Sequence, residues 1–220
     1  MQLQFNRDEA NAFIRALRKP AAGIRLRGFY PSGHPLKASD SGRKSGPSTD
    51  TINQWQAEGR GVYIVINDGG DTDSEITACR AFFTEWDDRP KEWQINAWKE
   101  FGLPEPTIQV DTGGKSVHSY WVLADPITPE QWKPIQKRLL DFADADRTIK
   151  NPARVMRLPG AFHADGNMSA IIYQSDNYYS AADIEACIPD EDTQQAIEES
   201  RKFTTYEKQT LADIEEALSH

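Results

Sequence analysis

Long apolar runs are missing from these 220 residues. No stretch approaches the ~18–20 consecutive apolar residues of a membrane-spanning helix, so no membrane partner is expected. The opening MQLQFNRDEANAF lacks the basic-then-apolar layout of a secretory signal. Cysteine is scarce as well: Cys79 and Cys187 stand too far apart for a CxxC metal or redox pair. They read as reduced thiols of a cytoplasmic protein. No internal repeat is visible. What is present is ordinary globular composition, 38% hydrophobic, 27% charged and 10% aromatic. That is enough for one good core or two small modules sharing an interface.

The net charge of −9 speaks at first sight against a nucleic-acid partner. Its distribution says otherwise. Residues 1–60 hold ten Lys/Arg against five Asp/Glu, a net of +5; residues 61–180 come to −6 and residues 181–220 to −8. Arg25, Arg27, Lys37, Arg43 and Lys44 cluster around YPSGHPLKASDSGRKSGPSTD. The Gly, Pro and Ser content of that segment predicts a flexible loop rather than a strand or helix. A flexible basic loop suits gripping a phosphodiester backbone without reading its sequence, although a solvated surface loop has the same composition.

Apolar periodicity places helices at 7–19, 49–59, 90–102 and 129–144, the last with a kink expected at Pro134. Strands are expected at 24–30, 61–67 and 81–88, with 74–80 a turn or short helix before the last of these. Residues 107–111 and 116–123 form a hairpin across TGGK; RVMRL and SAIIYQ are short strands, and SAADIEAC is a short helix. The order predicts an α+β protein with mixed or antiparallel sheets. From Ile188 the chain becomes an acidic linker, and TLADIEEALSH begins a helix without a C-cap. The expectation is a core over residues 1–187, with a basic segment over 1–60 and a motif-bearing segment over 60–182. The start of a C-terminal helical region of a longer protein would follow.

In AFFTEWDD strand alternation sends Phe82, Thr84 and Trp86 one way and Phe83, Glu85 and Asp87 the other. Two acids at i and i+2 among large aromatics are costly without a compensating cation. They suit one or two Mg²⁺ or Mn²⁺ ions bound through oxygen, and such ions suit phosphoryl transfer. The competing explanation is a strand end whose acids are merely solvated; a glycosidase pair fits less well, because its acids flank a sugar from opposite sides.

GGKS at 113–116 is not a phosphate-binding P-loop: Gln109 stands where the pattern needs Gly, and a strand follows where the pattern needs a helix. It still offers a tight glycine turn, the Lys115 point charge, and Ser116 and His118 on one strand face. A histidine satisfied by a backbone carbonyl is the plainer alternative for His118. Further on, DADRTIKNPARVMRLPG supplies Asp146, Arg154 and Arg157. Arginine is the side chain for multidentate phosphate recognition. On an extended strand Arg154 and Arg157 differ in parity, so a bend is needed to bring them together.

An acid pair on a strand, a Ser-x-His strand, then a third acid leading to an Arg-rich RLPG segment resembles the archaeo-eukaryotic primase superfamily. The similarity is to its primase–polymerase branch, found in plasmid, phage and mobile-element replication proteins. The resemblance implies an N-terminal α/β module packed on an RRM-like module, with the active site in the cleft between them. It implies Glu85, Asp87 and Asp146 (Asp144 as the rival) as catalytic acids holding two Mg²⁺ or Mn²⁺ ions. Lys115, Ser116, His118, Arg154, Arg157 and His163 would then bind the dNTP or rNTP. A single-stranded DNA template would lie on the basic segment at Arg43 and Lys44, and a C-terminal helical or helicase-type domain, or other replication proteins, would be partners. Two other readings share these residues: a non-catalytic single-strand-binding initiation module, and a metal-dependent nuclease.

Overall fold

The computed structural model describes residues 4–190 together with Thr193, Ala196, Glu199 and Ser200. The chain forms two compact units, Met1–Cys187 and Ile188–His220. The TLADIEEALSH helix and most of the acidic linker expected from the sequence lie outside the described residues.

In the first unit the chain runs α1 (Arg7–Ala16), β1 (Leu26–Phe29), β2 (Arg43–Ser45), α2 (Thr49–Ala57) and β3 (Gly61–Val65). It continues through β4 (Asp68–Gly69), β5 (Ile76–Thr84), α3 (Lys91–Glu100), β6 (Ile108–Asp111) and β7 (Val117–Ile127). It then adds α4 (Pro129–Phe142), β8 (Val155–Arg157), β9 (Ala170–Gln174) and α5 (Ala181–Glu185). The strands form two sheets, ordered β2-β1-β3-β8 and β4-β5-β7-β6-β9, and every pairing of neighbours within them is antiparallel. The segment β5-α3-β6-β7-α4, with β7 between β5 and β6, is the βαββα arrangement of an RRM-like module.

Local chemistry fixes the element ends. Asn6 caps α1 by accepting from the Asp8 and Glu9 amides, and Ser48 caps α2 by accepting from Thr51. Thr128 and Gln131 form a capping box at α4, and the helix runs on through Pro134. The core is aromatic: Phe82, Phe83, Tyr120, Trp121 and Trp132 are fully buried, and Phe13 of α1 meets Tyr120 edge-on at 5.3 Å.

One short crossing joins the sheets. After β3 the chain passes through Ile66 and Asn67 into β4. The Asn67 amide accepts from the Arg80 N–H (2.9 Å) and donates to the Pro152 carbonyl (2.9 Å). Lys19, with its ammonium buried, donates to the carbonyls of Ile66 (3.2 Å) and Asn67 (2.6 Å) and pairs with Asp68 at 3.0 Å. Burial pulls the Lys19 pKa below its ordinary value and Asp68 opposes the shift.

Three local expectations are corrected. Residues 76–80 are strand, since β5 begins at Ile76 against β4. Regular strand stops at Thr84 rather than running to residue 88, because the Glu85 carbonyl accepts from the Asp146 amide (3.0 Å) instead of a ladder partner. The basic segment after Tyr30 is not a featureless loop: it contains a 3-10 turn at Lys37–Ser39 and the edge strand β2. Arg60 holds it down, donating to both Asp40 oxygens (2.8 and 3.0 Å) while its guanidinium lies 3.9 Å from the centre of the Tyr30 ring. A composition rich in Gly, Pro and Ser gives no hint of an anchor reached from twenty residues away.

Candidate active site

The β5–β7 register builds the site. Ala81, Phe82, Phe83 and Thr84 pair with Val122, Trp121, Tyr120 and Ser119. Continued past the strand end, that register sets Glu85 opposite His118 and Asp87 opposite Ser116. The side chains meet accordingly: His118 Nε2 lies 2.7 Å from Glu85 Oε2, and the Ser116 hydroxyl donates to Asp87 Oδ1. Trp86, between the two acids, turns the other way. Its indole donates to the Ala143 carbonyl (3.0 Å) and packs with Trp93 and Phe101, so both neighbouring carboxylates face the cleft.

The two acids have different surroundings. His118 is buried and Glu85 is half-buried, their side chains 6% and 13% exposed, whereas Asp87 and its 3.5 Å partner Lys115 are 56% and 70% exposed. The inner pair is poorly screened and the outer one is open to solvent. His118 Nδ1 is 3.1 Å from the Tyr120 hydroxyl. Burial, with a smaller contribution from Glu85, raises the Tyr120 pKa well above its usual value, so the phenol stays protonated. An imidazole protonated at Nε2 satisfies both contacts, accepting from Tyr120 and donating to Glu85.

The glycine turn is braced from two sides. The Asp111 carboxylate accepts from the Gly113 amide (2.8 Å) and from Lys91 (2.7 and 2.8 Å), and the Thr112 hydroxyl donates to the Ser116 carbonyl (2.8 Å). Gln94, fully buried on α3, donates to the carbonyls of Arg89 (2.6 Å) and Lys115 (3.1 Å) and accepts from the Val117 amide (2.6 Å). It thereby ties the segment after Asp87 to the segment bearing Ser116.

The opposite wall comes from the other sheet. Arg157 pairs in register with Tyr63 of β3, and its guanidinium lies 4.3 Å from the centre of the Tyr63 ring. Burial lowers the Arg157 pKa, Tyr63 and Glu85 oppose the shift, and Nη1 is buried without a hydrogen-bond partner. Gly61 makes room: a Cβ there would lie 2.3 Å from Arg157 Nη1. Tyr63, Glu85, Asp87, Gly114, Lys115, Ser116, His118, Arg157 and His163 line one cavity of about 280 Å³, with Thr112.

Four expected site residues, Asp146, Arg154, Arg43 and Lys44, are not among them. The Asp146 amide holds the Glu85 carbonyl, but its carboxylate accepts from the Thr148 amide and hydroxyl (both 2.8 Å). Arg154 donates to that same hydroxyl (3.3 Å), as its strand parity relative to Arg157 anticipates. Asp144 pairs with Arg147 at 3.2 Å. Arg43 and Lys44 are strand neighbours and point to opposite faces; Lys44 shares the face of Tyr63 and Arg157.

The chain is 36% identical to the AEP domain of the cyanophage S-2L primase–polymerase, with a TM-score of 0.80, covering 84% of this chain and 99% of that one. The chain belongs to the archaeo-eukaryotic primase superfamily, in its primase–polymerase branch. The catalytic domain of primase RepB′, solved in complex with initiator DNA, shares the fold at 18% identity and a TM-score of 0.57, covering 89% of this chain and 96% of that one. A second RepB′ primase structure aligns at 16% identity and a TM-score of 0.57, covering 93% and 67%. No protein-family model and no curated protein matches.

Three residues of this primase–polymerase domain escaped sequence reasoning: Tyr63, Gly61 and Gln94. Within GVYIVIN a tyrosine reads as one more core residue, and a glutamine on a helix reads as solvent-facing. Only the sheet register reveals Tyr63, since it lies directly beside Arg157.

Proposed function

We propose that the chain is a metal-dependent DNA primase–polymerase, joining (d)NTPs along a single-stranded template with release of pyrophosphate. The observation that carries the reading is the meeting, in one cavity, of two carboxylates with an arginine whose Nη1 has no partner. A binding module has no use for acids placed there. The 36% identity to a primase–polymerase domain supports the same conclusion.

The donor set fits a hard divalent cation. Glu85 and Asp87 offer carboxylate oxygens, and among the described residues no group of three His, Cys, Asp or Glu side chains could hold a metal alone. Two protein carboxylates completed by substrate phosphates is a common way of holding Mg²⁺. Asp146, bonded through its main chain to Glu85 and engaged by Thr148 in this structure, is the third acid of the proposal. Bound Mg²⁺ or Mn²⁺ would lower the pKa of the primer hydroxyl and neutralise the departing phosphates.

The protein groups position the rest. Arg157, Lys115, Ser116, His118 and His163 orient the triphosphate so that the 3′-oxygen meets the α-phosphorus in line; Arg154, which donates to Thr148 in this structure, is the further arginine of the proposal. The new phosphorus–oxygen bond forms as the bond from α-phosphorus to the bridging oxygen breaks, and pyrophosphate leaves. Catalysis is mostly positioning and charge stabilisation. Lys44 and Arg43 serve the template. The free thiols Cys79 and Cys187 suit the cytoplasm; no helix among the described residues is long and apolar enough to cross a membrane.

Primer extension on single-stranded DNA with Mn²⁺ and dNTPs tests the proposal. Wild type extends the primer; Asp87→Ala loses at least ~100-fold, the scale of removing a principal transition-state stabiliser. Equal incorporation by the two proteins defeats the metal assignment. Degradation of the labelled strand without dNTPs identifies a nuclease, and salt-sensitive binding without incorporation under any metal identifies a binding module.

A further inference from the structure

One face of the β2-β1-β3-β8 sheet carries an ordered pattern that runs out of the cavity. Lys44, Arg27, Tyr63 and Arg157 are mutual register partners across the four strands, so all four project to one side. With strands about 4.8 Å apart, the row reaches roughly 14 Å from Arg157 in the cavity to Lys44 at the sheet edge. Beside it lies a second row. Phe29 pairs with Gly61, and continuing the β1–β2 register by one residue sets it opposite Gly42. A Cβ on Gly42 would stand 2.4 Å from the Phe29 ring, so the ring spreads over a glycine that has φ +82°. The guanidinium of Arg27 and the ammonium of Lys37 lie 5.0 and 5.3 Å from the centre of that ring, and Phe29 meets Tyr63 edge-on at 5.6 Å.

Arg27 and Lys44 share one anion, and hold it loosely. Asp71 Oδ1 lies 3.9 Å from Arg27 and Oδ2 3.5 Å from Lys44. Both Asp71 Oδ1 and Arg27 Nε are buried without a hydrogen-bond partner. The loop does not need the Asp71 carboxylate for its shape. Glu75 sets that shape, accepting from the amides of Asp71 and Thr72 and from the Thr72 hydroxyl, each at 2.9 Å. The carboxylate is thus presented by a preformed loop, short of good contact with two cations.

We propose that Arg27 and Lys44 form a phosphodiester subsite for a single nucleic-acid strand leading into the cavity along Tyr63, and that Asp71 is the internal anion this strand displaces. The inference rests on the polymerase reading and adds two residues to it, Arg27 as the central contact and Asp71 as the competitor. A single strand suits the row better than a free anion does, because the cations continue in a line toward the reacting groups and the flanking Phe29 and Tyr63 rings suit unpaired bases.

The test is fluorescence anisotropy with a labelled oligo-dT across a salt series. Arg27→Gln is expected to weaken binding about tenfold and to lower the salt slope by about one. Asp71→Asn is expected to tighten it about two- to fivefold, and that gain disappears in the Arg27→Gln, Asp71→Asn double variant. Should Arg27→Gln melt below the wild type, Lys44→Gln at the exposed sheet edge serves in its place. Asp71→Asn binding no better than wild type, or gaining equally with and without Arg27, overturns the subsite. So does tripolyphosphate competing as effectively as unlabelled oligo-dT, which assigns these cations to a free anion. The two readings fail separately. If these variants bind as wild type while Asp87→Ala still loses incorporation, the subsite falls and the polymerase stands; if the variants behave as expected but wild type incorporates no nucleotide under any metal, the polymerase reading falls instead.

Discussion

At the scale of single residues, the site depends on side chains that are made to lie flat or turn away. Gly61 exists for Arg157, so Gly61→Ala should push the guanidinium off the Tyr63 ring without straining the main chain. Steady-state extension assays should then show KM for the triphosphate raised about tenfold or more, with thermal stability and oligo-dT binding little changed. A stability loss with KM intact would show that the glycine serves packing alone. The acid pair and its partners Ser116 and His118 were legible because strand alternation fixes which residues share a face, and one register then joins them. Tyr63 and Gly61 were not legible. Their importance comes from what stands beside them on another strand, and nothing in GVYIVIN records that neighbour.

At the scale of elements, β5 shows how an exposed strand edge is closed without another strand. Beyond its short pairing with β4, the outer edge meets α4: Gln136 accepts from the Phe83 amide (3.2 Å) and donates to the Phe83 carbonyl (2.8 Å), and the Trp132 indole donates to the Ala81 carbonyl (2.8 Å). Gln136 is fully buried, so Gln136→Ala leaves an amide and a carbonyl unpaired. The expected cost is roughly 2–4 kcal/mol, read as a fall in Tm of roughly 5–15 °C by calorimetry. A fall under ~2 °C would mean that water takes over both groups. Helix α4 itself was plain in the sequence from its apolar spacing, in spite of Pro134. The short edge strand β2 was not, because three residues are too few to show alternation and their pairing with β1 depends on the remote Arg60–Asp40 anchor.

At the scale of the whole molecule, that anchor sets a pH dependence. Hydrogen bonding to Arg60 holds the Asp40 carboxyl below the usual carboxylate range. A depressed folded-state pKa contributes stability that is present above about pH 3.9 and is lost as pH falls through the lower folded value. Thermal melts of wild type and Asp40→Asn should therefore differ most near neutrality and converge as the pH falls below about 4. A constant gap would assign the difference to packing. The α+β class was readable from the alternation of periods along the chain, whereas the return of β8 to the first sheet was not, since a three-residue strand carries no label for its partner. That return sets a timetable for the growing chain. Both acids, the hydroxyl and the imidazole are synthesised before the arginine that faces them, and β3 must wait through β4 to β7 for its last neighbour. A chain interrupted before Val155 therefore carries the carboxylates without the cation opposite them, and chemical competence arrives late, with the closing of a long-range strand pair.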